Sequence, residues 1–421
     1  MQSLSSSPSL GCCVELSNSG LSDPKSKGSL KVGTTLKLLE LMLRQKLLGQ
    51  GLKGEPNTPL IVSYAVTRAC NLRCLHCHVS AREAMPDELN LREAMGAIEE
   101  MHSLGTEAVI FSGGEPLLRK DFVLQLVEYC DDLGIITAML SNGLLMTPHT
   151  ALQLQEAGLK AVGLPIDSVV PEKHDHLRNL PGTFDKAVQA IKTCLEIDLE
   201  VVVTTMALKD TYTEMPKRIE FLGDLGVDEV AVYDLVPVGR GKDVMDNAMT
   251  QDQRVNLIRW LQSKQEDTEM TFTMSGGTPL YPEIAEEMHR NHGTKAKDLL
   301  IKEFYIHQGI GCHAGNMYFS LRPNGDIYPC TFLPIKVGNI REQNLTEIWR
   351  NSKVLNTLRQ RQTLKGKCGG CEYREGCGGC RGRAYACTGD YLESDPVCLK
   401  DLMLQEGVSP ADVKRFGWCV G

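Results

Sequence analysis

A chain of 421 residues with a formal net charge of -8 is too long for one small module, and too acidic for a general nucleic-acid binder, which would carry a basic stripe. It has no run of about 18 apolar residues, so no membrane-spanning helix is expected, and its opening "MQSLSSSPSLGCCVELSNSG" lacks the basic and apolar regions of a secretory signal. The chain reads as cytoplasmic, where thiols stay reduced, so its 16 cysteines are expected as metal ligands rather than as disulfides.

Residues 1–56 are rich in Ser, Gly and Lys, apart from "TTLKLLELMLRQKLL", whose apolar period predicts one amphipathic helix. The first twenty residues are expected to be disordered. From 57 to about 265 a unit recurs in which a short apolar or β-branched run is followed by a turn and a helical pattern. The runs are "IVSYAV", "EAVIF", "ITAML", "KAVGLPI", "EVVVTT" and "EVAVYDL", with stretches such as "NLREAMGAIEEMHSLG" and "DKAVQAIKTCLEIDL" between them. Six such units predict an α/β fold on a parallel sheet with right-handed crossovers, either doubly wound or curled into a barrel or partial barrel. Ligands of such sheets gather at the carboxyl ends of the strands. Three unusual segments fall there: "CNLRCLHC" after the first run, "SGGEP" after the second and "SNG" after the third.

From about 300 the pattern gives way to "GCHAG", "PNGDIYPC" and "KCGGCEYREGCGGCRGRAYACTGDYLESDPVC". With so few apolar residues, this part is expected to depend on metal for its folding. The chain thus divides into an extension (1–56), an α/β domain with its connecting helices (57–300) and a Cys-rich domain (301–421).

Cys70, Cys74 and Cys77 read C-x3-C-x2-C. Three close cysteines can arise by chance or as part of a zinc knuckle. As ligands of an iron–sulfur cube they would hold three irons and leave the fourth open, which is a reactive position. His76 and His78 are interleaved and are expected to flank such a centre rather than ligate it. Cys368, Cys371, Cys377 and Cys398 read C-x2-C-x5-C-x20-C, which suits a zinc ribbon as well as a cluster. Cys130 and Cys194 lie in helical patterns and are expected in the core. Cys12, Cys13 and Cys419 sit in the terminal segments, and Cys387 is open to either reading.

"CNLRCLHC" on the first loop of a strand–helix repeat, followed by "GGEP" on the second, resembles the radical S-adenosylmethionine (SAM) superfamily over roughly residues 57–265. The resemblance implies a (β/α)6 partial TIM barrel in which Cys70, Cys74 and Cys77 hold a [4Fe-4S] cluster. It implies that SAM chelates the open iron and that one-electron cleavage yields a 5′-deoxyadenosyl radical, which abstracts a substrate hydrogen. It implies further that Gly113, Gly114, Glu115 and Pro116 receive SAM's amino group, that Ser141 and Asn142 meet its ribose, and that Asp167 belongs to the cofactor site. Two positions depart from the family pattern: His78 follows the third cysteine where an aromatic residue is usual, and Pro165 in "GLPID" replaces a more usual Ser.

The Cys-rich part resembles the SPASM or twitch domain, which implies an auxiliary [4Fe-4S] cluster on Cys368, Cys371, Cys377 and Cys398. Cys312, Cys330 and Cys380 fit the fuller SPASM arrangement, as a further cluster with an open or non-cysteine position or as unligated thiols. Within that group, "CGGCRGRAYACTGDYLESDPVC" and "GNIREQNLTEIWRNS" are similar to the haem-pathway enzymes. This implies an iron tetrapyrrole substrate and an electron donor such as a ferredoxin or flavodoxin. The favoured reaction is oxidative decarboxylation of iron-coproporphyrin III propionates to vinyls, giving haem. The alternatives are deacetylation of 12,18-didecarboxysirohaem to iron-coproporphyrin III and propionate modification in nitrite-reductase haem synthesis. Arg178, Arg240, Arg381 and Arg383 are the candidates for binding substrate carboxylates. A SPASM-type peptide maturase is the competing class, but residues 1–56 hold no strand pair from which to build a leader-binding domain. An iron–sulfur scaffold or electron carrier would have no use for "GGEP".

Overall fold

The computed structural model describes residues 58–275 and 311–398. The helix expected within 1–56, the boundary near 300, and Cys12, Cys13 and Cys419 lie outside the described residues.

All six runs form strands: β1 (Ile61–Thr67), β2 (Ala108–Gly113), β3 (Ile136–Leu140), β4 (Ala161–Pro165), β5 (Glu200–Ala207) and β6 (Glu229–Asp234). Each is parallel to the next. The crossovers carry α1 (Leu91–Ser103), α2 (Lys120–Asp132), α3 (Pro148–Glu156), α4 (Pro171–Arg178), α5 (Thr183–Glu196) and α6 (Met215–Asp224), and α7 (Gln251–Glu266) follows β6. Helix α1 shows how the sequence dictates these elements. Asn90 accepts from the Glu93 N–H while the Glu93 carboxylate accepts from the Asn90 N–H, so two of the orphan donors at the helix start are satisfied reciprocally. Ala94, Ala97, Ile98 and Met101 then fall on one face and are buried against the sheet.

The strands sort their side chains by a period of two. In β5, Val201, Val203, Thr205 and Ala207 are buried under the helices, whereas Val202, Thr204 and Met206 are half-buried on the other, inner face. On the inner face of β1 and β2, Ser63 and Ser112 meet hydroxyl to hydroxyl at 3.0 Å. The barrel interior is therefore lined by small and polar groups, and the apolar core lies outside it, between strands and helices.

The sheet extends beyond six strands at both ends. β7 (Thr271–Ser275) runs parallel to β6, and β8 (Tyr318–Leu321) runs parallel to β1 on the opposite edge. β9 (Asp326–Tyr328) and β10 (Gly338–Asn339) continue antiparallel, giving the order β10-β9-β8-β1-β2-β3-β4-β5-β6-β7. The Cys-rich part thus builds on the barrel's own sheet. It also carries more apolar burial than its composition implied. Phe319 and Leu321 of β8, Ile327 of β9 and Trp349 of α8 (Leu345–Asn351) join the main core, with the Phe319 and Trp349 rings 5.8 Å apart. This shared core supplies apolar burial to the Cys-rich part beside the part of its folding expected of metal.

A surface tie couples the two parts. Arg341, which follows β10, makes a two-pronged pair with Glu93 of α1, Nε to Oε1 at 2.7 Å and Nη2 to Oε2 at 2.8 Å. The Arg341 hydrogen bonds and the N–H of Asn90 hold the Glu93 carboxyl down to about 2 from an ordinary 4.5. Its stabilisation is therefore complete above about pH 4.5 and is lost as the pH falls toward 2. Because both partners are partly exposed, Glu93→Gln is expected to cost about 0.5–1 kcal/mol at neutral pH. Thermal melts at pH 7 and pH 2.5 check this, since the difference between the two proteins shrinks at the lower pH.

Candidate active site

The three-cysteine loop leaves the carboxyl end of β1 directly after a register shift between Ala65 and Thr67. It turns back on itself, with the Cys70 N–H bonded to Arg82 O at 2.9 Å and the Arg82 N–H bonded to Arg68 O at 3.1 Å. Two neighbouring loops grip it. From the β2 side, the Gly114 N–H donates to Thr67 O at 2.7 Å and the Glu115 N–H to Ala69 O at 2.8 Å. The approach is so close that a Cβ on Gly114 would lie 1.9 Å from Ala69 O, and one on Gly113, whose φ is +133°, would lie 2.4 Å from Thr67 O. From the β6 side, the Arg240 N–H donates to Cys77 O at 2.9 Å while its Nε reaches Cys74 O at 2.8 Å. Gly239, at φ +57°, brings that backbone against Cys77 and His78. The first grip involves the glycines singled out in "SGGEP". The second was missed as a backbone device, and its signal in the sequence was the "GRG" just past the end of β6.

Glu115 is fully buried. Its Oε1 accepts from the Leu117 N–H and the Ser141 hydroxyl, and its Oε2 from the Asn142 N–H. Burial raises this carboxyl and those three bonds oppose the rise. The side chains of Glu115 and Ser141 thus fasten the loops after β2 and β3 to each other. The Asn142 amide extends toward the first cysteine, its Nδ2 bonded to Asn71 Oδ1 at 2.7 Å and 4.0 Å from the Cys70 sulfur. Pro116 opens the one-turn helix Pro116–Arg119.

Asp167 lies just past β4 with Met206 N–H on Oδ1 at 3.0 Å and Arg178 Nε on Oδ2 at 2.7 Å. The Arg178 charge also acts on Cys74, opposing the rise that burial gives its thiol. Burial alone would raise the Asp167 carboxyl, but the charge of Arg178 and its hydrogen bond oppose that rise and hold the group below the usual carboxylate range. His76 is lowered to about 3 and His78 to about 4, chiefly by burial and then by Arg178 and Arg322 respectively, so both imidazoles are neutral. The His78 ring packs 5.0 Å from Phe332.

The three cysteines interact electrostatically with one another. Burial pushes the Cys70 thiol up to about 11 and raises Cys74 as well. The surroundings fit an iron–sulfur centre. Backbone N–H groups of Leu72 and Ala81 point at the Cys70 and Cys77 sulfurs at 3.4 Å, the donors that stabilise cluster thiolates and that buried thiols do not need.

The remaining cysteines fall into two sets. Cys377 interacts with Cys368 and Cys398, while Cys312 interacts with both Cys330 and Cys380. Cys371 follows Cys368 through a backbone turn. The same N–H to sulfur arrangement recurs: Asp395 to Cys368, Gly379 to Cys377, Phe332 to Cys330 and Arg383 to Cys380, all at 3.4–3.5 Å. The sets touch where the Cys312 N–H donates to Cys377 O at 3.0 Å. Cys130 and Cys194 are fully buried in the core, and Cys387 is exposed.

Each of the four arginines singled out for substrate carboxylates already has partners inside the protein. Arg178 and Arg240 serve the first cysteine loop as described. Arg381 is fully buried and spends its hydrogens on Gly379 O, Tyr391 O, Glu393 O and the Cys368 sulfur. Arg383, of the same helix α9 (Arg381–Thr388), bridges Asp234 of β6 and Asp395. These arginines are not solvated surface charge; all four are internal fasteners.

Comparison with known proteins agrees with this geometry. Residues 64–222 match the family described as the Radical SAM superfamily, and residues 312–372 match an iron-sulfur cluster-binding domain, SPASM. The chain is 35% identical over 345 residues to the "AdoMet-dependent heme synthase" of Methanosarcina barkeri, covering 82% of this chain and 97% of that one. It is 28% identical to the "Fe-coproporphyrin III synthase" of the same organism, covering 80% and 87%. Among solved structures, Streptococcus suis SuiB bound to S-adenosylmethionine superposes with a TM-score of 0.64 at 20% identity, over 81% of this chain and 77% of that one, a likeness of fold.

Proposed function

We propose, for a chain that belongs to the radical SAM superfamily and carries a SPASM domain, that its reaction is oxidative decarboxylation of iron-coproporphyrin III propionates to vinyls, giving haem. The chain is a radical SAM enzyme of haem biosynthesis. The decarboxylation reading rests on one observation: the likeness to a haem synthase extends over 97% of that relative's length, at higher identity than the likeness to the Fe-coproporphyrin III synthase.

Cys70, Cys74 and Cys77 would hold a [4Fe-4S] cluster, which with S-adenosyl-L-methionine bound would supply one-electron cleavage of SAM and through it hydrogen-atom abstraction. The chain's own residues prepare that place. Gly114, Glu115 and Arg240 fix the loop that carries the three sulfurs, and Arg178, held by Asp167, sets its positive charge near Cys74. Ser141 and Asn142 set the neighbouring loop beside Cys70. Each propionate that becomes a vinyl loses one hydrogen atom, one carbon dioxide and one electron. The set Cys368, Cys371, Cys377 and Cys398, and the set Cys312, Cys330 and Cys380, are the ligands for auxiliary clusters. The setting is the cytoplasm, with a ferredoxin or flavodoxin as reductant.

The test is anaerobic incubation of the iron-sulfide-reconstituted protein with SAM, a reductant and iron-coproporphyrin III, followed by mass spectrometry of the tetrapyrrole. Haem, with two carboxyl groups lost, is the expected product. If SAM is cleaved and the porphyrin is unchanged, didecarboxysirohaem is the substrate to try and the decarboxylation reading falls. Cys70→Ala, Cys74→Ala and Cys77→Ala are each expected to abolish SAM cleavage, and retained cleavage would remove the cluster assignment.

A further inference from the structure

The four arginines near the cysteines each hold internal partners, three of them an aspartate or a cysteine sulfur, which points to an arginine without a charged partner as the receiver of substrate carboxylates. A fifth arginine, Arg322, stands at the carboxyl end of β8. Along that strand Phe319 and Leu321 point outward into the core, while Tyr318, paired with Ile61 of β1, alternates to the inner face. By the same alternation, Arg322 continues the inner row to the mouth of the barrel. It is half-buried. Its guanidinium lies over the Tyr328 ring, 4.8 Å from the centroid, and its Nη2 donates to Thr331 O at 3.1 Å. Its charge is felt by His78, next to Cys77, and by Cys330 of the second domain. Arg322 thus sits between the first cysteine loop and an auxiliary cysteine set.

What it lacks is a counter-ion. Its nearest acidic neighbour, Asp326, is committed to Lys336 at 2.7 Å and to the amides of Asn324 and Asn339. No carboxylate of the described residues pairs with Arg322, and no protein acceptor among them takes its Nε or Nη1 hydrogens. A guanidinium that is stacked on a ring, oriented by one carbonyl and left with a free edge presents the fork that matches a carboxylate.

We propose that Arg322 binds a propionate carboxylate of the tetrapyrrole and so fixes the macrocycle between the two cysteine regions. This rests on the tetrapyrrole reading above. Arg322 is here a specificity-determining residue, since an uncharged porphyrin edge gains nothing from it.

The experiment is an anaerobic Soret titration of the reconstituted full-length protein with iron-coproporphyrin III and, in parallel, with its tetramethyl ester. Arg322→Gln is expected to raise the Kd for the tetra-acid about 10–100-fold, as for loss of a charge-assisted hydrogen bond, and to leave the Kd for the ester unchanged. Arg322→Lys, which keeps the charge, should fall between the two. Equal affinity of wild type and Arg322→Gln for the tetra-acid would overturn the proposal. Weaker binding of SAM with unaltered porphyrin binding would also overturn it, by assigning the carboxylate to SAM. If wild type binds neither porphyrin, the tetrapyrrole reading itself fails and this proposal with it. Iron and sulfide content, measured on every variant, separates these outcomes from misfolding.

Discussion

Gly114→Ala is expected to prevent loading of the first cysteine loop, with iron and labile sulfide falling by the amount of one cluster and SAM cleavage undetectable. The added methyl would lie 1.9 Å from Ala69 O and 2.5 Å from the carbon bearing it, and both are backbone atoms that no rotamer change can move aside. Relief requires parting the loops after β1 and β2. That breaks the Gly114 and Glu115 N–H bonds to Thr67 O and Ala69 O and draws Cys70 away from Asn142. Overpacking in a rigid setting costs about 1–3 kcal/mol, and two broken backbone hydrogen bonds add about 1 kcal/mol each. The companion variant Gly96→Ala separates this from a general effect of alanine. Gly96 lies within α1 with nothing within 4 Å of the new methyl, so its replacement should be neutral or stabilise the protein by about 0.5–1 kcal/mol. If Gly114→Ala retains full iron content, the close approach is not what holds the loop.

Arg383→Met is expected to lower the thermal midpoint by many degrees and to deplete the auxiliary sites while the first cysteine loop still loads. Arg383 is 1% exposed, and its Nη2 and Nη1 reach Asp234 at 2.7 Å and Asp395 at 3.2 Å, both carboxylates being nearly inaccessible to water. Removing the cation leaves two buried anions. Asp234 keeps Arg254 at 2.9 Å, whereas Asp395 loses the Arg383 guanidinium while keeping the Cys380 N–H at 2.8 Å. Breaking a buried pair in this way costs about 3–5 kcal/mol. Adding Asp395→Asn to the variant removes the stranded charge and should recover part of the loss. Electron paramagnetic resonance of the reduced protein, read beside the melt, distinguishes loss of the auxiliary signals from global unfolding. A melt unchanged from wild type would show that the bridge does not hold the Cys-rich domain to β6.

The six barrel strands were legible in the sequence because each is a continuous or alternating apolar run of five to eight residues set between helical periods. β7 and β8 escaped for the opposite reason. "TFTMS" and "YFSL" carry two or three apolar positions each, and their place in the sheet is fixed by partners far away in the chain, β6 and β1. The cysteine spacings marked the candidate sulfur ligands, but burial cannot be read from spacing. Arg381 and Arg383, in a glycine-rich segment, looked like either surface charge or substrate ligands, and the fold places both inside. Arg322 drew no notice because its meaning depends on Asp326 being paired elsewhere, which is a property of the assembled hairpin. Gly113 and Gly114 were noticed as places where backbone can approach a ligand. The structure adds that their missing side chains also admit the backbone of Thr67 and Ala69.

The grip of Arg240 on the first cysteine loop also bears on the order of events in the cell. Its bond to Cys74 O joins residues 166 positions apart, so the loop that presents the three sulfurs is completed only after β6 has been made and has docked. At about 5–20 residues per second of synthesis, the emerging thiols wait roughly 10–30 s for the clamp that shapes them. Iron delivered earlier would meet a floppy trio of thiols able to bind other soft metals. Iron delivered later meets a formed cradle. Release of a nascent chain before β6 is therefore expected to yield a polypeptide that holds iron more poorly than the full chain, which iron content after reconstitution checks.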